Sequence, residues 1–253
     1  SFSSFKVDHN TWRKNANGSY SGTLYTLPDR GYNVAGLIAY PARIQQMALS
    51  FTPDYTADTV SQTQLTLSLQ RTITITDFAG QTTTAVDPTG ATTLQGFSNV
   101  ATAGGKFAID GEGLALRADG SFYVSDEYGA TVYHVSKTGQ MLGMITPPQA
   151  LLPQFTGASG YSGFTTASGA IATGVQTGGR RDNQGMEAVD LTPDGRYLVT
   201  MLQSATRQDN PLNTNDGRLF TRLMVYDVSK TATPTSTIGH YLVELPSFDP
   251  EGT

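Results

Sequence analysis

The chain has no cysteine, a single tryptophan, and charge on only 15% of its 253 residues. The missing thiols exclude a disulfide scaffold and thiolate ligands for zinc. No apolar run approaches the roughly 20 residues that span a bilayer, so no membrane segment is expected. Basic residues are scarce too. Sixteen Lys and Arg against 21 Asp and Glu give a net charge of -5 and a pI near 5.1. No cluster of Lys and Arg is interleaved with aromatics, which argues against nucleic acid as a partner. An acidic chain can still hold an anion where a metal or a local arginine pair inverts the field.

What is abundant points to strands and turns. Gly 27, Pro 12 and many Thr and Ser residues suit pleated surfaces joined by tight turns, and 38% hydrophobic residues suffice for a real core. An all-β chain forming one domain over residues 1–253 is expected. The start at Ser1 without a methionine matches a processed chain, and with the Ser/Thr-rich composition it predicts secretion. Asn17-Gly18-Ser19 is an acceptor pattern for N-glycosylation at Asn17.

Two segments repeat one pattern. Glu112 precedes Asp119-Gly120 by seven positions, and Glu187 precedes Asp194-Gly195 by seven, each with short β-type runs on both sides of the turn. A repeated antiparallel unit with an acid at the start of its first strand predicts a β-propeller. Further strands are read over Tyr20–Thr26, Arg43–Phe51, Gln64–Thr76 and Thr131–Val135, and again over Arg222–Val228 and Tyr241–Leu245. Asn17-Gly18 marks a hairpin turn before Tyr20. Residues 82–105 read as loop, and 146–182 as a long irregular insertion.

Counting outward from the Asp-Gly turn places Glu112 at the same hairpin end as Asp126 and Glu127, with Glu187 at the equivalent end of the second copy. First strands of propeller blades line the axis, so these carboxylates converge at one mouth of the channel. Gathered there they repel unless protonated or bridged by a cation, and calcium is the hard ion that carboxylate oxygens serve. The expected metal ligands are therefore Glu112, Asp126, Glu127 and Glu187. Hydrogen bonding to backbone amides, or pairing with arginine, would account equally for Glu112 and Glu187. Asp126 and Glu127 could equally be turn-forming, solvent-facing residues. Asp119 and Asp194 belong to the turns. His134 sits inside an outer strand, where a structural role is expected. Arg180 and Arg181 read as a solvated pair, the alternative being a guanidinium fork that receives a phosphate. No Gly-x-Ser-x-Gly elbow occurs.

Three ordered motifs carry a resemblance. Leu27-Pro28-Asp29-Arg30-Gly31-Tyr32-Asn33 is followed by Glu112-Gly113-Leu114-Ala115 with Val124-Ser125-Asp126-Glu127-Tyr128-Gly129. Asn183-Gln184-Gly185-Met186-Glu187-Ala188 with Leu191-Thr192-Pro193-Asp194-Gly195 comes third. The series resembles the phytase-like family (esterase-like activity of phytase), and Thr11 to Asn33 is similar to its secreted fungal-type members. The resemblance implies a β-propeller of about six or seven four-stranded blades. It also implies hydrolysis of phosphomonoesters or other esters, with calcium and no organic cofactor. Members usually continue with further blades, so this chain is expected to be truncated, with a C-terminal fragment or second chain completing the ring.

In that setting Glu112 and Glu187 are the expected catalytic carboxylates beside the metal, with Asp29 and Arg30 as further catalytic candidates. Arg30, and less so Arg181, would contact a small anionic or ester substrate. Asp29 and Arg30 could instead form a structural ion pair. Two other functions fit the same mouth: a calcium-dependent lactonase or carboxylesterase, and a non-catalytic propeller in which the metal only clamps blades together.

Overall fold

The computed structural model describes residues 2–30, 40–55, 62–94, 97–145, 147–155, 176–181, 183–210 and 219–246. Gly31 to Asn33 of the first motif, much of the 146–182 segment and the last seven residues lie outside them. Secondary structure among the described residues is strand, apart from two single turns of 3-10 helix at Gln62–Gln64 and Gln149–Leu151.

Three four-stranded antiparallel sheets form the body. The first takes β1 (Phe2–Lys14), β2 (Tyr20–Pro28), β3 (Arg43–Phe51) and β4 (Leu65–Thr74). A three-stranded sheet of β5 (Gly90–Leu94), β6 (Phe97–Ala103) and β7 (Lys106–Phe107) follows. The second four-stranded sheet is β8 (Gly111–Leu116), β9 (Phe122–Asp126), β10 (Thr131–Val135) and β11 (Met141–Ile145). After the short pair β12 (Gln154–Phe155) and β13 (Gln176–Gly178), the third comprises β14 (Met186–Leu191), β15 (Tyr197–Leu202), β16 (Phe220–Asp227) and β17 (Gly239–Glu244). Each four-stranded sheet is a sequential meander, and the first strand of the second sheet, β8, packs between β1 and β14. This radial order of first strands is consistent with a propeller-like arrangement.

The turns form for the reasons their residues supply. Gly18, Gly120 and Gly195 all take positive φ, between 69° and 83°, where a Cβ would be strained. Asp119 accepts hydrogen bonds from the Ser121 amide and hydroxyl, and Asp194 from the Arg196 amide, fixing the two repeated hairpins. Residues 82–105 differ from the loop expected of them. Gly104 and Gly105 both adopt positive φ, and this tight turn pairs β6 with β7.

Two core layers lie between the sheets. Leu27, Ile44, Ile73, Val124 and Tyr133 fill the space between the first and second, and Tyr123, Val132, Leu198, Leu202 and Met224 that between the second and third. Across the first strands the spacing is tighter still. A Cβ on Gly113 would stand 2.5 Å from Ser125 Oγ and 2.8 Å from the Val189 amide nitrogen, so only glycine lets β8 and β14 approach this closely. The Lys6–Asp190 ion pair, 2.5 Å, links β1 to β14 across β8. Because backbone is among the obstructing atoms, Gly113→Ala is expected to destabilise the chain by about 1–3 kcal/mol, the usual range for overpacking, measured by urea unfolding.

Candidate active site

The repeated glutamates occupy a repeated defect. In β8 the pairing passes from Gly111–Asp126 to Leu114–Val124, so Glu112 and Gly113 together oppose Ser125. In β14 it passes from Met186–Leu202 to Ala188–Met201, leaving Glu187 as the extra residue. In β1 it passes from Phe2–Pro28 to Ser4–Leu27, leaving Ser3. These are bulges at the same end of three first strands, and a bulge re-aims the side chain it carries. The residue following each second strand is equivalent by the same register: Asp29, Glu127 and Gln203. The matching amide bonds, Glu127 N–H to Asp110 O at 2.8 Å and Gln203 N–H to Gly185 O at 3.1 Å, show the same closure in two sheets.

Asp110, Glu112 and Glu127 converge, each offering a carboxylate oxygen within 4.8 Å of the others. Burial is the main reason the Glu112 carboxyl is pushed up to about 7. Ser3, which donates a hydrogen bond to it, opposes the rise, while the charges of Glu187, Glu127 and Asp29 add to it. Glu187 is raised by burial and then by Glu127, and its Oε2 is buried with no hydrogen-bond partner among the described residues. Glu127 is likewise raised by burial. Asp110 is almost fully buried, and burial pushes its carboxyl up against the opposing charge of Arg30.

The acids rest on two cations. Arg30 Nε approaches Asp110 Oδ2 at 2.6 Å, and its Nη1 donates to Asp87 at 2.6 Å and to the Tyr128 hydroxyl. Its Nη2 donates to Asn183 Oδ1 at 3.2 Å, and Asn183 is held at a φ of 50°, a left-handed conformation that asparagine tolerates. Arg180 lies on another side, buried, donating to the carbonyls of Arg181 and Tyr128, and its charge favours the ionised forms of Asp126 and Glu127.

The structure thus brings Glu112 and Glu127 together and sets Glu187 and Asp29 within their electrostatic reach. Asp126 stands behind them. Its Oδ1 accepts the amides of Asp110 and Tyr128, and its Oδ2 accepts the Tyr133 hydroxyl at 2.8 Å. Arg30 pairs with Asp87 and Asp110, which lie far from it in sequence. The solvated reading of Arg180 and Arg181 is overturned, since both are buried, and Arg181 donates to the carbonyls of Ala205 and Asn210. The 176–181 backbone packs against 151 and 207, which turns both side chains inward. His134 is structural as expected, its Nε2 lying 2.9 Å from Ser121 Oγ and 3.1 Å from Arg117 Nη1. Asp110 was missed. The available signal was its place two residues before Glu112, where the strand register sets it beside Glu127.

Comparison with known proteins agrees with the motifs. The phytase-like family, under the description "Esterase-like activity of phytase", matches residues 15–251. The chain belongs to the phytase-like family. An "Uncharacterized secreted protein" of Arthroderma benhamiae is 34% identical over 270 residues, covering 97% of this chain and 52% of the relative. This phytase-like chain therefore spans about half the length of that curated relative. Among the described residues no helix is long and apolar enough to cross a membrane.

The raised acids set a sign for pH dependence. Without a cation, folded Glu112 keeps its proton up to about 7 whereas the unfolded chain releases it near 4.5, so its stabilising contribution is lost as pH rises across that window. Asp126, pushed up to about 7 mainly by burial, acts in the same direction. Thermal melts in chelator are expected to fall from pH 5 to pH 8, with Glu112→Gln flattening the fall and exceeding the parent at pH 8.

Proposed function

We propose that this chain is a secreted metal-dependent hydrolase of small anionic esters, phosphomonoesters first, acting where the bulged first strands converge. The observation that carries the reading is the Asp110, Glu112 and Glu127 group, with Glu187 in electrostatic reach and its Oε2 without a hydrogen-bond partner among the described residues. Three carboxylates this close and this buried are costly unless shared protons or a cation neutralise them. An all-oxygen donor set with no thiol or imidazole suits calcium.

Asp110, Glu112 and Glu127 are the residues that would hold the ion, with Glu187 completing the set or accepting a proton from water. Bound calcium would offset the charge of an anionic group and polarise the phosphorus or carbonyl centre. Arg30 fixes Asp110 through Nε and offsets part of the negative charge at the edge of the cluster. Its other nitrogens already face Asp87, Tyr128 and Asn183, so its part in charge stabilisation is largely electrostatic. Arg181, directed to backbone carbonyls, has no substrate contact in this scheme. Asp126 supports the site by holding the amides of Asp110 and Tyr128 in place. Secretion rests on the likeness to the secreted fungal relative, and would expose Asn17, at the tip of the first hairpin, to glycosylation.

The test is a chelated and calcium-loaded pair of samples assayed on phosphomonoesters, aryl esters and lactones. Hydrolysis of phosphomonoesters that disappears with chelator and returns with calcium is expected. Glu112→Gln and Glu127→Gln should each lower calcium affinity by roughly 10-fold or more, a loss comparable to that from disturbing outer-shell partners of metal sites. Asp126→Asn should instead lower the melting temperature. Full hydrolysis in chelator, or calcium binding with no hydrolysis of any panel substrate, overturns the proposal.

A further inference from the structure

An aromatic cleft lies at the opposite end of the first sheet from the acids. β2 runs from Tyr20 at the cleft to Pro28 beside Asp29, about 27 Å at the usual rise per residue. Between the pairs Asp8–Thr23 and Arg13–Ser21, β1 advances five residues while β2 advances two. Thr11 fixes the resulting bulge, its Oγ1 donating to Asp8 O and accepting the Thr23 amide, both at 2.8 Å, and the Asn10 amide adds a bond to Asp8 Oδ1. The bulge re-aims Trp12 over the sheet, where a Cβ on Gly22 would stand 3.0 Å from the indole Cε3.

Trp12 in that position stacks on Tyr20, with ring centroids 5.5 Å apart and planes 10° from parallel. Tyr20 in turn pairs in register with Phe51, at 6.4 Å and 33°. The three rings make a shelf across the strands, and with Asp54, Tyr55 and Gln64 they line a cleft of about 380 Å³ among the described residues. Tyr55 is 89% exposed.

Such a lining suits an occupant with apolar faces and a polar edge. A pyranose ring has both, since its C–H groups gather on the ring faces and its hydroxyls, each donor and acceptor, stand round the rim. The Asp54 carboxylate and the Gln64 amide supply matching partners in the cleft, and Lys14 Nζ, 6.0 Å from the Tyr20 centroid, adds a donor beside it. A quaternary ammonium group is held by rings that enclose it, whereas rings inclined by 10° and 33° leave an open shelf. The carboxylate of Asp54 disfavours an anionic sugar. Because the rings extend over neighbouring strands, the shelf has room for more than one sugar unit.

We propose that this cleft binds a neutral saccharide chain, its ring faces stacked on the aromatic side chains and its hydroxyls bonded to Asp54 and Gln64. The site is separate from the acid group and stands whether or not that group hydrolyses esters.

Trp12 is the chain's only tryptophan, so its emission reports on the cleft directly. The chain is made without glycosylation and titrated with neutral oligosaccharides of glucose, xylose, mannose and N-acetylglucosamine. A saturable change in emission is expected with at least one of them, with half-saturation at about 1 mM or below. Tyr55→Ala and, separately, Gln64→Ala should weaken that binding about tenfold with the melting temperature unchanged, as for surface substitutions generally. Tyr241→Ala, at an exposed position on the third sheet, should leave it as in the parent. No response to any saccharide, an equal response in Tyr55→Ala, or a stronger response to tetramethylammonium or poly-L-proline would overturn the proposal. So would a glycosylated chain whose Trp12 emission is already changed and no longer answers to added saccharide, which would assign the cleft to the chain's own glycan at Asn17.

Discussion

The close approach of β8 to β14 governs nearly everything else in the chain. Gly113 lies against Ser125 and the Val189 backbone, and Gly185 lies so near the carbonyls of Glu127 and Gly129 that a Cβ there would be 2.2 Å from the first. Gly113 adjoins Glu112 in sequence, and Gly185 lies two residues before Glu187. A side chain at either position would push the third sheet away from the second, and Glu187 away from Glu112 and Glu127. The Met186 amide bonded to Gly129 O and the Ser125 hydroxyl bonded to Glu187 O then fix the distance that the glycines permit. Backbone proximity is therefore the condition on which the carboxylate group rests.

That proximity has an electrostatic consequence, and the surrounding residues are arranged around it. Carboxylates brought together in a partly buried place raise one another's affinity for protons, and burial adds more. Arg30 and Arg180 hold the excess in check from different sides. Arg30 comes from the end of the first sheet and binds acids on two later segments, Asp87 and Asp110, while stacking over Tyr128 at 4.9 Å. Arg180 follows β13 and donates to the turn that carries Glu127. Two cations against the group of Asp110, Glu112, Glu127 and Glu187 leave negative charge uncompensated. The chain's own residues thus supply rigidity and partial neutralisation, and protons held by the raised acids or the proposed calcium would supply the rest.

The sheets were legible in the sequence because their causes are local. Period-two alternation and Asp-Gly or Asn-Gly turns place β2, β3, β10 and the two repeated hairpins close to where they fall. The small sheet of β5 to β7 was hidden because its strands are short and poor in large apolar residues, although Gly104-Gly105 carried a hairpin signal. The site was legible in part. Counting from the turns puts Glu112 near Glu127, since register depends only on strand length. It could not separate Asp126 from Glu127, adjacent residues whose side chains leave the chain on opposite sides: one is held by two amides and Tyr133, the other joins the acid group. Nor could it show that Arg180 and Arg181 are buried, because that depends on the packing of 176–181 against segments distant in sequence.

The repeat also explains why the acids do not form a symmetric ring. All three first strands carry the bulge, but the bulged residue is Ser3, Glu112 and Glu187 in turn, and the residue after the second strand is Asp29, Glu127 and Gln203. Only the second sheet has an acid at both positions. Its neighbours each replace one acid with a neutral hydrogen-bonding group, and these face the central pair: Ser3 hydrogen-bonds Glu112, and the Gln203 amide, turned to suit its neighbours, donates to Glu127. A fifth or sixth acid at those places would add repulsion without a matching cation. The same backbone position, repeated by the fold, is therefore filled by charge where a ligand would be gripped and by neutral donors where the charge has to be steadied.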